Sequence, residues 1–196
     1  MKKQIIKIFI IIGLTASAAL PAKEEKDVMH YFRILHKDTI KSLKEQLKVN
    51  NDPVSYEIKD IQNGYLKYSF ATSEGFSEFA LWKKQDGKVI TGEVSYGCGP
   101  GCSLMKFRLT EFTGDVPKDV TETYYPEKDV QKLYEKRLAI LKKRDTESTP
   151  EFWIKLPRKG KTISIGIMLD AVELTGFIGI AEMRFKNDKF EYNILK

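Results

Sequence analysis

The chain has 196 residues, of which 42% are hydrophobic and 31% are charged, and its formal net charge is +6. This composition is typical of a globular protein, and the sequence contains no low-complexity tract. Three of the 33 basic residues lie in the first seven positions, which leaves 30 basic against 27 acidic residues and a balance of +3. A basic surface for nucleic acid is therefore not expected.

The first 22 residues have the pattern of a secretory signal peptide. Lys2, Lys3 and Lys7 form a basic region, residues 8–14 an apolar core, and residues 15–22 a run of small residues before a charged segment. The apolar run is shorter than the roughly 20 residues that span a bilayer. We expect cleavage after Ala18 or Ala22, and a periplasmic or secreted protein without a stable membrane anchor.

The first predicted unit, residues 23–120, begins with a helix and continues with strands. Asp27 can cap a helix over residues 28–48, in which apolar residues at helical spacing form one stripe. Alternating segments then predict strands at 54–58, 66–70, 79–82, 89–96 and 104–109. The Asp86-Gly87 pair predicts a two-residue hairpin turn of type I′.

The second predicted unit, residues 121–196, repeats this plan. Pro126 can open a helix that runs to Lys142, Lys143 and Arg144, and strands are predicted at 152–156, 163–167, 177–185 and 190–195. The sequence therefore predicts an α+β fold, built as a tandem duplication of one helix followed by an antiparallel four-stranded sheet, with the helix on one sheet face. The element order is similar to that of secreted β-lactamase inhibitor proteins, a resemblance that implies fold but no function.

Both cysteines of the chain, Cys98 and Cys102, lie in the segment YGCGPGCS at 96–103. Three intervening residues, two of them glycine, let the Cα atoms approach closely enough for a disulfide, which an exported protein favours. The alternatives are a thiol-redox site and a cuprous site with Met105 as a third soft ligand. The spacing differs from Cys-x-x-Cys, and strand alternation would send Met105 to the opposite face.

No set of residues with catalytic spacing is evident. His30 and His36 are six residues apart and are expected on different sides of the first helix, at surface or half-buried positions. Neither a Gly-x-Ser-x-Gly elbow nor a His-Glu-x-x-His helix occurs. We therefore predict no catalytic residues, no metal and no cofactor.

The predicted type I′ hairpin places Phe79 and Leu81 on one face with Ile90 and Val94, and Trp82 on the other with Val89 and Thr91. If the helix covers the first set, Trp82 faces outward. An outward Trp82 near Tyr96 could anchor a partner. The alternative is that the second unit covers Trp82, since tryptophan is usually well buried.

These patterns together favour an exported, non-enzymatic binding or inhibitory module. The predicted contact residues are Trp82, Tyr96, Gly99 and Pro100. The expected partner is a protein or an envelope polymer and not a nucleic acid. The alternative function is thiol-redox chemistry or copper handling by Cys98 and Cys102.

Overall fold

The computed structural model describes residues 26–142 and 150–195 as an α+β protein with two antiparallel sheets. Helix α1 (Val28–Leu47) precedes a six-stranded sheet formed by β1 (Val54–Asp60), β2 (Tyr65–Phe70), β3 (Gly75–Lys83), β4 (Val89–Cys98), β5 (Cys102–Thr113) and β6 (Val116–Asp119). Helices α2 (Thr121–Tyr124) and α3 (Glu127–Leu141) then lead into a four-stranded sheet of β7 (Glu151–Lys155), β8 (Thr162–Asp170), β9 (Thr175–Lys186) and β10 (Lys189–Ile194). In both sheets, neighbouring strands follow one another along the chain.

The predicted signal peptide, residues 1–22, lies outside the described residues, as do Lys143 and Arg144. Within the described ranges, no helix is both long enough and apolar enough to cross a bilayer.

Helix α1 follows directly from its sequence. The side chain of Asp27 accepts the backbone N–H of His30 at 3.0 Å, which satisfies one of the free donors of the first turn. Val28, Phe32 and Leu43 are buried on the face that meets the sheet. The helix ends at Lys48, whose φ of 54° is left-handed. The predicted cap and helix are thus confirmed.

Buried clusters lie on both faces of the six-stranded sheet. Helix α1 covers the outer face of the six-stranded sheet, where Phe32 packs with Leu66 and Phe79. The inner faces of the two sheets share one core. Helix α3 packs against β8 and β9, and Val130, its one fully buried residue within the described part of the helix, belongs to the core that the two sheets share.

The two sheets differ in size, which departs from the predicted pair of equal four-stranded units. The additional strands are β5 and β6, which form the hairpin that follows the cysteine loop. Strand β6 was not evident in the sequence, because its four residues are all exposed and include Pro117. At the opposite edge, β1 carries a register irregularity between Tyr56 and Ile58.

The predicted register of the β3–β4 hairpin is wrong by one residue. The N–H of Lys84 donates to the carbonyl of Lys88 at 2.9 Å, so the loop contains three residues, Gln85 to Gly87, instead of two. Gly87 has a φ of 81°, which is typical of the left-handed position in three-residue hairpins. Trp82 consequently pairs with Ile90 and shares the inner face with it. The one-residue shift therefore brings Ile90, in place of the predicted Thr91, to the face of Trp82, while Trp82 stays on the face opposite Phe79.

Candidate functional site

Trp82 lies between the two sheets and does not face solvent. It is 4% exposed. Its ring centroid is 5.0 Å from that of Phe190 and 6.4 Å from that of Phe185, both on the second sheet. The interpretation of Trp82 as a surface anchor is therefore wrong, and the alternative, in which the second unit covers it, describes the structure.

Tyr96 is also part of the shared core, with 2% of its surface exposed. Its hydroxyl accepts the backbone N–H of Ile154 at 3.0 Å and donates to the carbonyl of the same residue. Burial raises the pKa of Tyr96, and the bond to Ile154 opposes this shift only in part. Tyr96 therefore joins the two sheets and is not available to a surface partner.

Cys98 and Cys102 are joined in a disulfide, with their Cα atoms 4.0 Å apart. They form the last pair of the β4–β5 hairpin. The predicted disulfide is confirmed, and it is compatible with an oxidising, exported compartment. Because both sulfurs are bonded to each other, they offer no thiolate to a cuprous ion beside Met105 in this state.

The disulfide hairpin is attached to the second sheet. The N–H of Cys102 donates to the carbonyl of Ala171 at 3.0 Å. A Cβ on Gly101 would lie 3.7 Å from side-chain atoms of both Ala171 and Val172, so glycine lets the two turns meet in ordinary contact. The tip of the hairpin is thereby held against the turn between β8 and β9.

These two turns present a continuous surface, which we call the tip surface and define by Gly99, Pro100 and Val172. Gly99 and Pro100 are exposed, and Val172 is 61% exposed. Asp170 fixes the second turn, since its carboxylate accepts the N–H groups of Val172 and Glu173 at 2.9 Å each. Of the four predicted contact residues, the structure leaves Gly99 and Pro100 at the surface.

A buried polar cluster lies under helix α1, and the sequence did not indicate it. The Glu93 carboxylate is 2.9 Å from Nε2 of His36 and accepts the hydroxyl of Tyr68 at 2.7 Å. On its other oxygen it meets Arg108 at 3.1 Å and Lys106 at 3.6 Å. The alternation of Thr91, Glu93 and Ser95 along β4 was the available signal, because it predicts one polar face.

The cluster stabilises the helix–sheet contact and is poorly suited to acid–base chemistry. Burial tends to raise the pKa of Glu93, but the hydrogen bond and charge of His36, the Tyr68 hydroxyl and Lys106 outweigh it and lower the pKa to about 2. A carboxylate this acidic is a weak base at neutral pH. His36, predicted at a surface or half-buried position, is buried, whereas His30 is half-exposed beside Asp115.

Within residues 26–142 and 150–195, no three His, Cys, Asp or Glu side chains are grouped so that they could hold a metal ion. The polar groups that do assemble are paired with one another around Glu93.

Comparisons with known proteins add little to this picture. No protein-family model matches the chain, and no curated protein matches it. Among solved structures, the chain is similar to a domain of an uncharacterized protein from Porphyromonas gingivalis W83. The two share 14% identity over 85% of this chain and 98% of that one, with a TM-score of 0.43. A likeness at this level carries no argument about function.

Proposed function

We propose that the chain is an exported, non-enzymatic binding or inhibitory module that contacts a protein partner through the tip surface. The observation that carries the proposal is the exposure of Pro100 and Val172 on two turns, one from each sheet, that are fastened to each other. Apolar side chains on a fixed surface lose little conformational freedom on association, so more of the contact energy becomes affinity.

Two features support the exported location in this proposal. Residues 1–22 have the order of charge, apolar core and small residues that secretory signals share. The disulfide is of the kind that persists in oxidising compartments. A protein partner is favoured over an envelope polymer because the exposed side chains of Pro100 and Val172 are apolar.

The proposal includes a common origin for the two helix-plus-sheet units. The first four strands and the last four follow the same order, and each series has a left-handed glycine before its second strand, Gly64 and Gly160. Gly75 and Gly176, which also have positive φ, occupy matching places in the third strands. In this interpretation the β5–β6 hairpin is an addition that placed the disulfide at the tip surface.

The test compares two valines that receive the same substitution. Val172→Asp introduces a charge into the tip surface, whereas Val116→Asp does so on β6, where the side chain is 69% exposed. A partner is first captured from the envelope of the source cell by the wild-type protein and identified, and its affinity for each variant is then measured by calorimetry.

We expect Val172→Asp to weaken binding at least tenfold, or about 1.4 kcal/mol, and Val116→Asp to leave it within twofold. Equal affinities for the two variants would contradict the proposal. A reduction potential of the disulfide in the range of catalytic dithiols would instead favour the thiol-redox function of Cys98 and Cys102.

A further inference from the structure

We propose that a second site, at the opposite end of β4 from the tip surface, binds an anionic polymer through its phosphate groups. This site, the basic groove, lies where the β3–β4 turn meets the β9–β10 turn and the start of β8, and its volume is about 490 Å³. Strand β4 has ten residues, so about 30 Å separates the two sites. The inference is independent of the tip surface.

Positive charge dominates the lining of the basic groove. Among the described residues, its lining has one carboxylate, Asp188, and four cationic side chains: Lys83, Lys161, Arg184 and Lys186. The Asp188 carboxylate already accepts the backbone N–H of Gln85 at 3.0 Å. Such an excess of one sign in a concave surface attracts anions and raises their rate of association.

Two of these cations make no ion pair with any residue that the structure describes. Arg184 is 3.4 Å from Glu182, but Lys161 and Lys186 have no carboxylate partner within residues 26–142 and 150–195. The ammonium of Lys161 lies 6.0 Å from the ring centroid of Phe185, on the edge of the groove. Both lysines can therefore bind an incoming anion without first breaking an ion pair.

The chain also places two lysines directly opposite each other. Lys186 pairs with Lys189 across the β9–β10 hairpin. The register is fixed by a two-residue turn, in which Asn187 and Asp188 have φ values of 49° and 63°. Like charges in facing positions destabilise an antiparallel pair. A bound phosphate group beside Lys186 would relieve this repulsion.

The basic groove is preorganised by hydrogen bonds that backbone N–H groups donate from one of its segments to another. The bond from Gln85 to Asp188 ties the β3–β4 turn to the β9–β10 turn. The N–H of Phe185 donates to the carbonyl of Lys161 at 2.7 Å, which holds the start of β8 beside β9. The cations therefore come from three segments whose relative positions are set before a ligand arrives.

The lining favours a phosphate polymer without bases over a nucleic acid. Proteins that bind single-stranded nucleic acid combine positive charge with exposed aromatic rings on which bases stack. The one aromatic residue in the groove lining, Phe185, is buried against Trp82 and Phe190. Charge is thus available for a phosphate chain, but no exposed ring is available for a base.

The experiment uses inorganic polyphosphate as the probe and measures its affinity for the disulfide-bonded protein by calorimetry at 50 and 200 mM salt. The test variant is Lys161→Gln/Lys186→Gln. The control is Lys128→Gln/Lys132→Gln, which removes the same charge from exposed positions on α3. Thermal unfolding of both variants without ligand shows that each is folded.

We expect the groove variant to bind at least tenfold more weakly, with a shallower dependence of affinity on salt, and the control to stay within twofold of wild type. Lys186→Gln alone should raise the unfolding temperature slightly without ligand, because it removes the facing like charge. Equal losses in the two double variants would overturn the proposal, because binding would then follow net charge alone. Equally tight binding of polyglutamate would overturn the assignment to phosphate groups, and equally tight binding of single-stranded DNA would overturn the assignment to a polymer without bases.

Discussion

The phenol ring of Tyr96 on the first sheet stacks on the indole of Trp153 on the second, with 3.8 Å between ring centroids and 15° between ring planes. The Tyr96 hydroxyl reaches past this ring to both backbone groups of Ile154. The Tyr96 side chain thereby provides packing and two hydrogen bonds between the sheets. Removal of its hydroxyl would leave the N–H and the carbonyl of Ile154 without this partner.

Replacing Tyr96 by phenylalanine is expected to lower the free energy of unfolding by about 1–3 kcal/mol, because buried backbone groups would lose their partner. Tyr56→Phe is the matched control. The hydroxyl of Tyr56 is buried without a hydrogen-bond partner in the described part of the chain. Burial is the main reason that the pKa of Tyr56 is raised to about 12. Urea unfolding should show a loss for Tyr96→Phe and none for Tyr56→Phe. Equal losses would show that the bridge to Ile154 adds nothing.

Trp82→Ala is expected to destabilise the protein by about 3–5 kcal/mol, as large-to-small substitutions of buried aromatic residues do. The cavity would open between β3 and the aromatic rings of β9 and β10. Thermal unfolding measures the effect. If the variant unfolds at the wild-type temperature but no longer binds a partner, Trp82 is a surface anchor, as the sequence analysis predicted, and not a core residue.

Glu93 is expected to make stability dependent on pH in the acid range. Its pKa falls from the ordinary value of 4.5 to about 2 in the folded protein, so its contribution is complete above pH 4.5 and is lost as the pH falls toward 2. A shift of this size corresponds to about 3 kcal/mol. Glu93→Gln should therefore be less stable than wild type at pH 7 by roughly that amount.

The difference between Glu93→Gln and wild type should narrow as the pH is lowered from 4.5 to 2, measured by chemical unfolding at each pH. Glu57→Gln serves as the control, because Glu57 is an exposed partner of Lys67. A difference that stays constant over this range would show that Glu93 is not the group whose protonation matters.

Thiol titration of the denatured, unreduced protein should detect no free thiol, because Cys98 and Cys102 are bonded. Replacing both by serine is expected to cost about 2 kcal/mol in the chain-entropy treatment, since the closed loop is short. The fold should persist, because the N–H of Cys102 can still donate to the carbonyl of Ala171. Complete unfolding of the double variant would mean that the disulfide does more than restrict the loop.

Export predicts that protein recovered from the cell envelope begins at Ala19 or Lys23. Intact mass measurement distinguishes the two starts from each other and from the full chain. A full-length species retained in the membrane would contradict the predicted cleavage, and with it the compartment that favours the disulfide.

Local signals in the sequence identified most elements but not how they face one another. The cap at Asp27 depends on neighbouring residues alone, and it occurs as predicted. The Asp86-Gly87 signal was also local, yet it did not distinguish a two-residue loop from a three-residue one. That single residue decided which residues of β4 share a face with Trp82. The burial of Trp82 itself follows from the second sheet, which covers that face.

The buried cluster around Glu93 and the size of the first sheet could not be predicted from the sequence, for a different reason. Glu93 and His36 are separated by 57 positions, and their contact follows from how α1 lies across the sheet. Strand β6 is entirely exposed, so hydrophobic alternation could not reveal it. Both features depend on tertiary contacts that residue pattern does not encode locally.

The two edge strands of the six-stranded sheet, β1 and β6, limit how this protein can associate with other chains. The irregularity in β1 bends one border, and at the other Pro117 in the short strand β6 has no N–H to donate. Bulges, prolines and short edge strands are features that hinder a foreign strand from extending a sheet and propagating into fibrils. Association through side chains is therefore favoured over backbone pairing at these borders, which protects a β-rich protein from self-assembly at high local concentration.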